Sequence, residues 1–91
     1  MPEVAIDVPP LLRDAVGGAA SVSVSAGTLP AALAQIPQRW PALAALVLDD
    51  ANAPRPHVLI LHNGKLTRGV VPPPALKDGD RLAIVQAISG G

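Results

Sequence analysis

The chain has 91 residues, a formal net charge of zero from seven basic and seven acidic side chains, and no cysteine. Apolar residues make up 49% of it, too many for a disordered segment and enough for the core of one small domain. These figures exclude disulfides, thiolate nucleophiles and zinc–thiolate sites. They also argue against a nucleic-acid partner, which a basic excess and stacking aromatics would mark.

Trp40 is the single aromatic residue, so the core must be built from Val, Leu, Ile and Ala. Eleven prolines imply many breaks and short elements. No stretch approaches the roughly 20 apolar residues needed to span a membrane. The N-terminus lacks the basic region and apolar run of a signal peptide. A cytoplasmic protein with no membrane partner is the expectation.

Residues 3–8 alternate, with Val4, Ile6 and Val8 on one face, and read as a half-buried strand. Pro9-Pro10 ends it, Leu11 to Val16 suits a single helical turn, and Gly17-Gly18 reverses the chain. Ser21 to Ser25 alternates strictly, valines in and serines out, which predicts a second strand paired with the first. Thr28 is a suitable helix N-cap and Pro30 is tolerated in the first turn. Leu29, Leu33 and Ile36 share one helix face, and Pro37 should stop or kink that helix. A second short helix is expected over 41–47, opened by Pro41. Residues 49–56 form a polar, proline-containing loop.

His57 to His62 predicts a third strand, either covered on both faces or carrying a sticky outer face. Asn63-Gly64 is a strong hairpin turn, returning as a short strand over Lys65 to Arg68. Val70 to Pro74 is loop or edge, and Asp78-Gly79-Asp80 is another tight turn. Arg81 to Ile88 makes the last strand and leads into Ser89, Gly90 and Gly91. If the first and last strands pair in parallel, the helix between the two halves crosses over one face of the sheet. The fold class is α+β, a β-grasp or ubiquitin-like fold. It has a mixed sheet of four to five strands and one main covering helix, with residues 1–88 as a single domain and 89–91 as a diglycine tail.

Two terminal glycines pack nothing and are entropically expensive to order. They offer a thin, bendable strip ending in a carboxylate, suited to entering a narrow channel in another protein. The plain alternative is a frayed terminus.

With this element order and tail, the chain resembles the ThiS/MoaD family of sulfur carrier proteins. The resemblance rests on the opening Val4-Ala5-Ile6 strand, the segment Leu12 to Gly18, and Thr28-Leu29 at the helix start. It continues through Asn63-Gly64-Lys65 and Leu76 to Leu82, and ends in Gly90-Gly91. It implies a carrier that is not itself an enzyme and binds no cofactor. A ubiquitin-activating-like adenylating enzyme uses ATP to activate the carboxylate of Gly91, and sulfur then replaces the AMP to give a thiocarboxylate. The implied acceptor is a molybdopterin synthase large subunit, a thiazole synthase or a cysteine-synthase-type enzyme. Chain length, the Leu12–Gly18 segment and the Asp49–Pro56 loop favour the molybdopterin type or the cysteine-biosynthesis carrier. The alternatives are a ubiquitin-like modifier conjugated through Gly91 and a non-covalent interaction domain. Where many relatives have aromatics in the last strand and prolines before the tail, this chain has Ile84, Val85, Gln86 and Ala87.

Gly91 is thus the candidate adenylation and thiocarboxylate site, with Gly90 and Ser89 keeping the tail narrow. Ala83, Val85 and Ala87 share one face of the last strand, opposite Leu82 and Ile84, and form a candidate docking patch unless loops cover it. Arg39, Lys65, Arg68, Lys77 and Arg81 read as solvated charge, with steering of an acidic partner as the second option. No metal site is expected. His57 and His62 would lie on opposite strand faces, and Asp49, Asp50 and Asn52 lack calcium-loop spacing. Asp78 and Asp80 read as turn residues. Trp40 should plug the core or the seam between the two helices.

Overall fold

The computed structural model describes residues 1–86. Five strands, β1 (Glu3–Asp7), β2 (Ser21–Ser25), β3 (Val58–His62), β4 (Lys65–Leu66) and β5 (Arg81–Gln86), form one mixed sheet in the order β2-β1-β5-β3-β4. β1 and β5 run parallel at its centre, with Ile6 beside Leu82, and every other pairing is antiparallel. One face is covered by α1 (Leu29–Arg39), α2 (Pro41–Val47) and a 3₁₀ helix over Pro10–Val16. This is the expected α+β, β-grasp architecture.

Period two decides which side chains enter the core. Val4 and Ile6 of β1, Val24 of β2, Val58 and Ile60 of β3, and Leu82 and Ile84 of β5 are all buried. They meet Leu29, Leu33 and Ile36 of α1, Leu43 and Val47 of α2, and Leu12 of the 3₁₀ helix. Trp40 is half-buried at the junction of α1 and α2, the second of the two places expected for it, with the Arg39 guanidinium 4.5 Å from its ring centroid.

Thr28 caps α1 as expected, its hydroxyl accepting from the Ala31 N–H at 3.2 Å. Pro37 does not stop the helix, which runs on to Arg39. Proline there removes only one late hydrogen bond, while the Trp40 N–H still closes the last turn on the Ile36 carbonyl at 2.7 Å. The break falls instead at Trp40, whose backbone is non-helical and which precedes Pro41, the first residue of α2.

β4 is two residues shorter than Lys65–Arg68. The Thr67 hydroxyl bonds the Ile60 carbonyl at 2.8 Å, and the Arg68 guanidinium turns inward to the carbonyls of Arg55, Pro56 and Val58. Asn63 and Gly64 both have positive φ, as the two-residue hairpin turn requires.

β2 is an edge strand. Its pairing with β1 commits the backbone groups of Val22 and Val24, so those of Ser21, Ser23 and Ser25 point outward. Two of the outward carbonyls are covered from α1: Arg39 Nη1 donates to Ser23 O at 2.7 Å and Gln35 Nε2 to Ser25 O at 2.5 Å.

Candidate functional site

β5 carries the candidate site, and the sheet register sets what it presents. Leu82 and Ile84, 1% and 3% exposed, point beneath the helices, while Ala83 is half-buried and Val85 is 37% exposed on the opposite face. Val85 pairs with Leu59, Ala83 with Leu61, and Leu61 with Leu66. Cross-strand partners share a face. Ala83 and Val85 therefore belong to an apolar patch with Leu59, Leu61 and Leu66 on the helix-free side of the sheet. The continuous run Val58 to Leu61 takes the second of its two readings, an inner face in the core and an apolar outer face. On the β1 side the patch ends at an ion pair between Asp7 and Arg81, whose Nε lies 3.1 Å from Asp7 Oδ2. The bond to Asp7, first, and its charge, second, raise the Arg81 pKa further.

The opposite end of β5 is bolted down by one carboxylate. Asp80 accepts from the Lys77 N–H at 2.9 Å and from Asn63 Nδ2 at 3.0 Å, and it lies 2.7 Å from His62 Nε2. These bonds, that to His62 foremost, lower its pKa from 3.8 to about 2. Asn63 in turn accepts from the Arg81 N–H at 2.9 Å, and Asp78 from the Glu3 N–H at 2.8 Å. The Asp78-Gly79-Asp80 turn thus ties β1, β3 and β5 together at the point where β5 begins. Asp78 and Asp80 are turn residues, as read, but Asp80 is also the centre of a polar cluster that sequence spacing does not reveal.

The cationic side chains divide into two groups. Arg39, Arg68 and Arg81 are engaged with backbone carbonyls or with Asp7, while Lys65 and Lys77 are exposed. His57 lies in the turn before β3, not on the strand. Among the described residues no group of three His, Cys, Asp or Glu side chains could hold a metal ion, and no helix is long and apolar enough to cross a membrane. Ala87, Ser89, Gly90 and Gly91 lie outside the described residues.

Comparison with known proteins identifies the scaffold. A family model, described as the ThiS family, matches residues 7–91. The chain belongs to the ThiS family. No curated protein matches it. Among solved structures, this ThiS-family chain is similar to small archaeal modifier protein 1 from Methanosarcina acetivorans, with 26% identity, TM-score 0.82, and coverage of 100% of this chain and 98% of that one. It is also similar to a chain of the Amycolatopsis orientalis BexX/CysO complex, with 26% identity, TM-score 0.80, and 97% and 99% coverage. Mycobacterium tuberculosis CysO is a third, with 27% identity, TM-score 0.79, and 93% and 99% coverage. Together they place this ThiS-family chain on a β-grasp scaffold shared with small archaeal modifier protein 1 and CysO.

Proposed function

We propose that this chain is a sulfur carrier whose reacting group is the carboxylate of Gly91. The observation that carries the reading is the family match, which continues through Gly90 and Gly91. The apolar patch at the end of β5, on the side of the sheet that the helices leave uncovered, supports it.

The chemistry follows from what a carboxylate lacks. It is a poor electrophile until one oxygen becomes a good leaving group. A carboxylate oxygen of Gly91 attacks the α-phosphorus of ATP in a partner adenylating enzyme, and pyrophosphate leaves. A sulfide-level sulfur nucleophile then attacks the acyl carbon, and AMP leaves. The product is a thiocarboxylate, so a chain without cysteine carries sulfur on its main-chain terminus. Gly90 and Ser89 keep the approach narrow, with no side chain larger than a hydroxymethyl group.

The fold is the handle. Ala83 and Val85, with Leu59, Leu61 and Leu66, form the surface offered to the activating and acceptor enzymes; Ala87 continues the same alternation in sequence. The acceptor is of the molybdopterin-synthase or cysteine-biosynthesis type, as the Leu12–Gly18 segment and the Asp49–Pro56 loop suggest. The chain itself acts as substrate and donor, not as catalyst.

The test is an intact mass after incubation with the adenylating enzyme, ATP and sulfide. Exchange of the terminal OH for SH adds about 16 Da. A wild-type chain that gains no such mass sinks the carrier reading. The similarity to small archaeal modifier protein 1 favours one second reading, conjugation of Gly91 to a lysine of a target protein. A ladder of higher-mass conjugates in cells, absent when Gly91 is deleted, would decide for it.

A further inference from the structure

A hollow of about 320 Å³ lies beside the end of β5, lined by Pro9, Pro10, Leu11, Ile84, Val85 and Gln86. None of the six residues is charged. Leu11 stands on its rim 86% exposed, while its neighbour Leu12 is buried in the core. This is not a loose loop. Two prolines restrict the backbone, and the Leu12 N–H bonds the Pro9 carbonyl at 2.9 Å. Arg13 Nε reaches back to the Val8 carbonyl at 3.0 Å. A large apolar side chain on so firm a support is an anchor that loses little freedom when it is covered.

The place of the hollow says what covers it. Gln86 is one of its walls, and five residues lead from Gln86 to Gly91, a reach of roughly 17 Å at full extension. An enzyme that holds the Gly91 carboxylate in its active site has that site within about 17 Å of Gln86, so its surface comes close to this end of β5. The Leu11 rim and the hollow then fall inside the contact.

We propose that the Pro9–Leu11 rim and the end of β5 form a specificity pocket. It takes an uncharged, apolar side chain from the adenylating enzyme that receives the tail. The proposal rests on the carrier reading above. It adds to the sheet patch a second contact, from the 3₁₀ helix rather than from a strand.

The experiment compares wild type, Leu11→Glu and Leu11→Met in ATP–pyrophosphate exchange with the adenylating enzyme, varying carrier concentration, alongside the intact mass. Leu11→Glu should raise the carrier KM roughly tenfold or more, the effect of a lost apolar anchor, with kcat unchanged. Leu11→Met should stay near wild type. All three should share one Tm, because Leu11 is outside the core. A Leu11→Glu chain with wild-type KM, or one that loses kcat alone, overturns the pocket. If the wild-type chain supports no exchange and gains no mass, the carrier reading itself fails, and the pocket with it.

Discussion

Ile84→Ala and Val85→Ala, made separately, should give opposite results although the residues are neighbours. Ile84 is 3% exposed beneath the helices. Its truncation removes three carbons at about 0.8 kcal/mol each, and a cavity term raises the loss to roughly 2.5–4 kcal/mol. A chain of 91 residues unfolds with an entropy of about 0.19 kcal/mol/K. The Tm should therefore fall by roughly 13–21 °C. Val85 is 37% exposed on the helix-free face, and its truncation should remove about 1 kcal/mol or less, a shift of about 5 °C. Thermal unfolding followed by circular dichroism reads both. In activation by the adenylating enzyme, Val85→Asp should weaken docking although the fold is kept, since Val85 lies outside the core. Equal Tm losses at the two positions would mean that the register of β5 is wrong, and with it the assignment of the docking face.

Three further outcomes are expected. Asp80 has a folded-state pKa lowered to about 2, so its share of stability is complete above the ordinary carboxylate value of 3.8 and is lost as pH falls through about 2. Tm measured against pH should show an acid limb in that window, and Asp80→Asn should lower Tm near neutral pH and flatten the limb; an unchanged limb refutes the assignment. Gln35→Ala with Arg39→Ala uncovers two edge carbonyls of β2, and light scattering should show association that grows with concentration. Adding Ser23→Pro should reverse that association, because the Ser23 N–H points outward and proline there blocks pairing without breaking the β1–β2 ladder. Deleting Gly91 should leave Tm unchanged and abolish thiocarboxylate formation.

Much of this fold could be read from local pattern. Val4, Ile6, Val22 and Val24 alternate with polar or small residues and form β1 and β2. Asn63-Gly64 is the turn that its residue types require. The central parallel pair follows from element order, since the first and last strands are the apolar ones with a helix between them. What could not be read depends on residues distant in sequence. His62 and Asp80 are 18 positions apart, and only the pairing of β3 with β5 brings them together. Arg39 reads as solvated charge, and Gln35 carries no signal, until β2 places its outward carbonyls beside them. Pro37 illustrates a local rule overridden by packing: the buried Leu33 and Ile36 keep α1 in place through one missing hydrogen bond.

The candidate site divides along the same line. The outward alternation of Ala83 and Val85 was legible because period two fixes it. Leu59 and Leu61 lay within a run that allowed two readings, and the sheet order chose between them. Leu11 gave no signal beyond an apolar residue after two prolines. Its significance comes from the parallel pairing of β1 and β5, which sets the start of the 3₁₀ helix beside the end of β5.

The most direct test of the account is the mass of one peptide. Trypsin cleaves after Arg81 and releases Leu82–Gly91. After incubation with the adenylating enzyme, ATP and sulfide, that peptide should be about 16 Da heavier and every other peptide unchanged. An unmodified Leu82–Gly91 peptide from a chain that the enzyme has bound, or a mass gain on any other peptide, would contradict the claim that Gly91 carries the sulfur.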